Sequence, residues 1–118
     1  MDMKSSLTRK DGPVIRVPKE QRTSDLWERL NYVLDPEMGV GVVDLGLIYN
    51  IDVEEGIATV DMTFTSMGCP AGPEIVEDIE KTIKEHPGIK EVVINIVWEP
   101  VWGPDFVDEE VRMMLWGQ

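Results

Sequence analysis

Apolar residues recur with helical spacing at Leu26, Trp27, Leu30, Val33 and Leu34, which predicts a first helix capped by Thr23 or Ser24. Asp35-Pro36 ends it, because the residue before a proline avoids the helical region. After a glycine-containing stretch, Tyr49, Ile51 and Val53 alternate with Ile48, Asn50 and Asp52, the pattern of a strand with one apolar face. Ala58, Val60, Met62 and Phe64 alternate in the same way beyond a short turn at Glu54-Glu55-Gly56, so the two strands form a hairpin. A second helix runs from about Pro70 or Pro73 to Glu85. Its buried stripe is Ile75, Val76, Ile79 and Ile83, its i,i+4 pairs are Glu77–Lys81 and Glu80–Lys84, and Pro87-Gly88 stops it. Val92, Ile94, Ile96 and Trp98 line one face of a third strand, and a loop rich in proline and tryptophan leads to a short final helix near residues 107–115.

These elements predict an α+β fold (α/β, two-layer): a small, mainly antiparallel sheet of three or more strands with helices packed on one face. The length of 118 residues suits one core. Residues 23–118 form that domain, and residues 1–22 form a basic, mobile N-terminal tail with little apolar periodicity.

Charge sharpens the division. Residues 1–22 hold six Lys/Arg against three Asp/Glu, and the remainder holds five against twenty, for a net charge of −12. Such an acidic body repels nucleic acid and anionic membranes, so neither is an expected partner; it is either a solvated surface or a docking face for something basic. No apolar run reaches membrane-spanning length, and the first twenty residues lack the apolar core of a secretory signal. A single cysteine gives no internal disulfide, which points to a cytoplasmic setting.

That cysteine is the centre of any chemistry. A lone cysteine is commonly a small buried hydrophobe. Here Gly68 permits a tight turn and Pro70 suits a first helical position, placing Cys69 at or near a helix N-cap, where free N–H groups favour a thiolate. A Cys–His dyad is excluded: the only histidine, His86, lies seventeen residues on along the same helix, roughly 25 Å away. A closed metal site within one chain is excluded as well, since structural zinc and iron–sulfur clusters take four ligands, mostly cysteines. Carboxylates are available at Asp35, Glu37 and Asp44, which read equally as a turn pair and a loop cap. Trp98 and Trp102 either cover the open end of the core or form a partner surface.

Three separated motifs, DPEMGVGVVDLGLIYNIDV, VDMTFTSMGCP and PGIKEVVINIVWEPVWGPDFVDEEVR, occur in an order that resembles the metal–sulfur (iron–sulfur) cluster assembly family that includes SufT, PaaD and the eukaryotic cytosolic iron–sulfur targeting factors. The similarity covers about residues 24–116. It implies a carrier or targeting factor in iron–sulfur protein maturation rather than a turnover enzyme. A metal-free adaptor and a thiol-dependent sulfur-transfer enzyme are the alternatives. By the same resemblance the family's reactive cysteine corresponds to Cys69, the sole metal ligand. The DPE acids correspond to Asp35 and Glu37, the DLG aspartate to Asp44, and the preceding hydroxyls to Thr63, Thr65 and Ser66. The family commonly reads T-T-P-G-C-P where this chain has T-S-M-G-C-P, with Met67 in place of a proline. The implied cargo is a transient iron–sulfur cluster or iron shared across an interface, with none held stably by the monomer. The implied partners are iron–sulfur apoproteins and assembly machinery, including a P-loop scaffold ATPase, or a second copy in a homodimer.

Overall fold

The computed structural model describes residues 16–22, 24–65 and 71–117. Helix α1 (Asp25–Leu30) is capped by Ser24, whose hydroxyl accepts the Leu26 N–H; Thr23 lies outside the described residues. The helix is shorter than its apolar stripe. Asn31 closes it, and residues 33–42 fold back on themselves through the Leu34–Gly41 bridge and the Val42 N–H to Val33 carbonyl bond. Val33 is buried, whereas Leu34 is turned out to solvent.

Strands β1 (Ile48–Glu54) and β2 (Ile57–Met62) form the expected antiparallel hairpin, joined by a two-residue turn at Glu55-Gly56 in which both residues have positive φ. Strand β3 (Glu91–Ile96) lies on the other side of β2 and runs parallel to it, giving the order β1-β2-β3. The sheet is therefore mixed, not mainly antiparallel. The cause is the connection: helix α2 (Gly72–Lys84) returns the chain to the start of the sheet before β3 begins, as a helical crossover between parallel strands does.

One sheet face meets α1 and α2. Ala58, Val60 and Met62 of β2 are buried and share a core with Leu26, Leu30, Ile75, Ile79 and Ile83; Val92 and Ile94 of β3, in register with Ala58 and Val60, pack against it, and Ile96 opposite Met62 is partly exposed. In β1 the expected alternation breaks at a bulge between Ile48 and Asn50. The extra residue keeps Ile48 and Ile51 opposite Met62 and Val60 on the helix side and turns Tyr49 to the opposite face. There Tyr49 is fully buried with its ring edge-on to Phe106 at 5.8 Å between centroids. Helix α3 (Glu109–Trp116), capped by Asp108, packs Val111 and Leu115 on the core and leaves Met113, Met114 and Trp116 exposed.

Of the basic segment, residues 16–22 lie against this body. The Val17 N–H bonds the Tyr49 carbonyl at 2.9 Å, the Arg16 guanidinium sits 4.0 Å from the Phe106 ring centroid, Arg22 covers Trp27, and Lys19 pairs with Asp108. Residues 1–15 lie outside the described residues.

Candidate functional site

Because β2 and β3 are parallel and Met62 is in register with Ile96, the segments that follow both strands leave the sheet at the same end. The first carries Thr63, Phe64 and Thr65. The second carries Trp98, Pro100 and Trp102. They meet where Phe64 and Trp98 lie 6.2 Å apart between centroids, inclined at 50°. Beneath them, the Tyr49 hydroxyl donates to the Pro100 carbonyl at 2.6 Å. Burial raises the Tyr49 pKa, opposed by the Arg16 charge and by the Thr63 hydrogen bond. Burial also lowers the Arg16 pKa, with Tyr49 opposing. The phenol thus stays a neutral donor that ties β1 to the segment after β3. Trp102 is fastened separately, its indole N–H donating to the Leu45 carbonyl at 2.9 Å. The two tryptophan readings therefore divide: Trp102 closes the core, and Trp98 remains 37% exposed.

The expected site residues fall in several environments. Asp35 is buried, and its Oδ1 accepts the N–H groups of Glu37 (2.8 Å) and Met38 (3.3 Å), so it builds the DPEMG turn. Glu37 is exposed on that turn. Asp44 lines a cavity of about 590 Å³ with Arg22, Trp27 and Tyr32; its N–H is taken by Asn31 and its carbonyl by Asp108. The glycine of the same DLG motif has φ +80°, and a Cβ there would come within 2.4 Å of the Phe106 carbonyl oxygen, so no other residue fits. Thr63 is fully buried, its N–H bonded to the Leu47 carbonyl, and Thr65 is exposed. Ser66 and Cys69 lie outside the described residues. Helix α2 begins at Gly72 with Ala71 as its N-cap, so Cys69 precedes the cap by two positions in the chain. Among the described residues, no three His, Cys, Asp or Glu side chains gather as a metal-binding group.

His86 makes a structural contact. Its Nε2 faces both Asp25 carboxylate oxygens at 3.1 Å and its Nδ1 faces the Pro87 carbonyl, joining the end of α2 to the start of α1. The hydrogen bond from His86 is the main reason the Asp25 pKa is lowered.

Sequence reasoning missed Tyr49 and Phe64 as residues of this sheet end. Strand alternation put both on core faces, and neither the bulge nor the parallel return of β3 leaves a mark in that pattern.

The model of the iron-sulfur cluster assembly protein family matches residues 23–96. The chain belongs to this family. It is 45% identical over 84 residues to the Fe-S protein maturation auxiliary factor SufT of Staphylococcus aureus, covering 70% of this chain and 96% of that one. It is 38% identical over 98 residues to the Fe-S protein maturation auxiliary factor YitW of Bacillus subtilis, covering 82% and 96%. Among solved structures it resembles a domain of unknown function, DUF59, from Bacillus anthracis, with a TM-score of 0.73 and 36% identity over 77% of this chain and 88% of the other. The mixed sheet with its two covering helices is thus a family architecture. In this member of the iron–sulfur cluster assembly family, the matched span includes β1, β2, α2 and β3, and with them the stretch between β2 and α2 that holds the only cysteine. No helix among the described residues is long and apolar enough to cross a membrane.

Proposed function

We propose that this protein is an iron–sulfur protein maturation factor that carries or targets its cargo, a transient cluster or iron, through the thiolate of Cys69. The observation that carries this reading is family membership over a span whose single thiol stands between β2 and α2. Cys69 is the one thiolate ligand the chain owns. Three of the four usual ligand positions at a cluster must come from elsewhere: a second copy, an assembly partner such as a P-loop scaffold ATPase, an apoprotein, or a small thiol. Incomplete ligation suits a carrier, because cargo held by few bonds is released to a site with more. Thr65 and Ser66 precede the thiol in the chain, and the resemblance to the family is what assigns these hydroxyls to its surroundings; Thr63 is fully buried. Asp35 serves the fold, since its carboxylate oxygen is committed to backbone N–H groups.

Anaerobic reconstitution with iron and sulfide tests the proposal. The wild type is expected to acquire cluster absorbance only in a dimer or with added thiol, and Cys69→Ala to acquire none. Stoichiometric cluster on a verified monomer without added thiol contradicts the ligand count, and unchanged cluster binding in Cys69→Ala overturns the assignment. Cys69→Ser is expected to change stability by less than about 1 kcal/mol while abolishing maturation in cells, because an alcohol does not ionise near neutral pH. A destabilised Cys69→Ser protein, together with a wild-type thiol that resists iodoacetamide in the native state, would leave the metal-free adaptor standing.

A further inference from the structure

Phe64 and Trp98, with Pro73 and Val76 from the first turns of α2, wall a cavity of about 520 Å³. The Gly72 backbone approaches so closely that a Cβ there would lie 3.2 Å from the Phe64 ring, so the apolar floor is firm. The apolar surface continues outward, for Ile96 and Trp98 are each 37% exposed and Val101 is 71% exposed. Glu77 and Glu80 form the acidic side of the same cavity. Lys81 and Lys84 follow them at i+4, yet no ion pair involves Glu77 or Glu80 among the described residues. Both carboxylates thus line the cavity with no cation paired to them from the described body. Phe64, just after β2, and the helix start at Gly72 bracket the stretch of chain that holds Cys69.

We infer that this groove seats an apolar side chain of the receiving apoprotein, presented on a segment flanked by Lys or Arg, so that the segment is held at the sheet end from which the Cys69-bearing stretch departs. The inference rests on the maturation role proposed above. An exposed tryptophan beside a second aromatic ring is the kind of anchor that dominates binding energy, because burying its remaining surface is favourable and its ring loses little freedom. The paired glutamates set the sign of what flanks the anchor: basic residues are attracted, and acidic ones are repelled by the groove and by a chain of net charge −12. The cavity admits a side chain and its immediate backbone, not a folded element.

The test is a fluorescence titration of the full chain with the labelled peptide Gly-Lys-Arg-Leu-Phe-Lys-Arg-Gly and its counterpart with glutamate at each basic position. The basic peptide is expected to bind with Kd near 10–100 μM, roughly, at low salt and the acidic one at least about tenfold more weakly. Glu77→Lys/Glu80→Lys, on an exposed helix face, is expected to keep its melting temperature and to reverse the preference; Trp98→Ala is expected to weaken basic-peptide binding about tenfold. No saturable binding up to about 1 mM, or equal binding by wild type and the charge-reversed variant, overturns the inference. So does a gain of about tenfold on removal of residues 1–15, which would make the chain's own basic segment the occupant. Reconstitution of Cys69→Ala reads the cluster role separately: the groove fails by the peptide titration, and the carrier role by cluster loading.

Discussion

Tyr49 shows how much of this protein rests on single hydrogen-bonding groups. Its hydroxyl donates to the Pro100 carbonyl, joining β1 to the segment after β3. Tyr49→Phe keeps the ring against Phe106 and leaves that carbonyl without its donor. We expect a loss of about 1–3 kcal/mol, measured by denaturant unfolding; a variant as stable as wild type would mean that water reaches the carbonyl. The sequence motif ranked Thr63 with the hydroxyls around the thiol. In the fold Thr63 is completely buried, whereas Thr65 is exposed.

At the scale of elements, α1 and α2 are coupled end to end by Asp25 and His86. The lowered Asp25 pKa fixes the sign of the pH effect. A carboxylate whose pKa falls on folding stabilises the native state above its unfolded pKa, and that contribution is lost as pH drops through the lowered folded value. Melting of wild type and Asp25→Asn from neutral pH into the acid limb should therefore converge as the carboxylate protonates; parallel curves would show that the pair contributes nothing. Elements of this kind were largely legible in the sequence. Helical spacing located α1 and α2, and two-residue alternation located all three strands, because each buries one continuous stripe. Their ends and mutual direction were not. The end of α1 is set by the fold-back of residues 33–42, and the β1 bulge by Tyr49 turning to the far face. The direction of β3 follows from the length of α2, a property of the assembled chain rather than of any local pattern.

For the whole molecule, the question is where the body ends. Alternating polarity gave no reason to attach residues 16–22, because they bind through a backbone bond and two arginines lying over aromatic rings, not through an apolar stripe. Removing residues 1–15 is expected to leave Tm nearly unchanged, whereas removing residues 1–22 should cost about 2 kcal/mol, a fall of roughly 8 °C or more. Equal melting of the two truncations would show that the segment adds no stability. The groove walled by Phe64 and Trp98 was the least legible feature, since its walls come from positions that the chain brings together only through the crossover.

That crossover also orders events in time. The hairpin of β1 and β2 closes over a two-residue turn, while β3 begins almost thirty residues after β2 ends and must wait for α2. Local pairing is fast and distant pairing slow. During synthesis the β1–β2 hairpin therefore forms before Trp98 has a strand to stand on, and the aromatic wall of Phe64 and Trp98 is completed last. Pulse-labelled hydrogen exchange should find the β1–β2 amides protected before those of β3, and protection in the reverse order would refute the sequence of events. A nascent chain would thus own the groove only after the whole sheet has closed, so that an unfinished copy lacks that surface altogether.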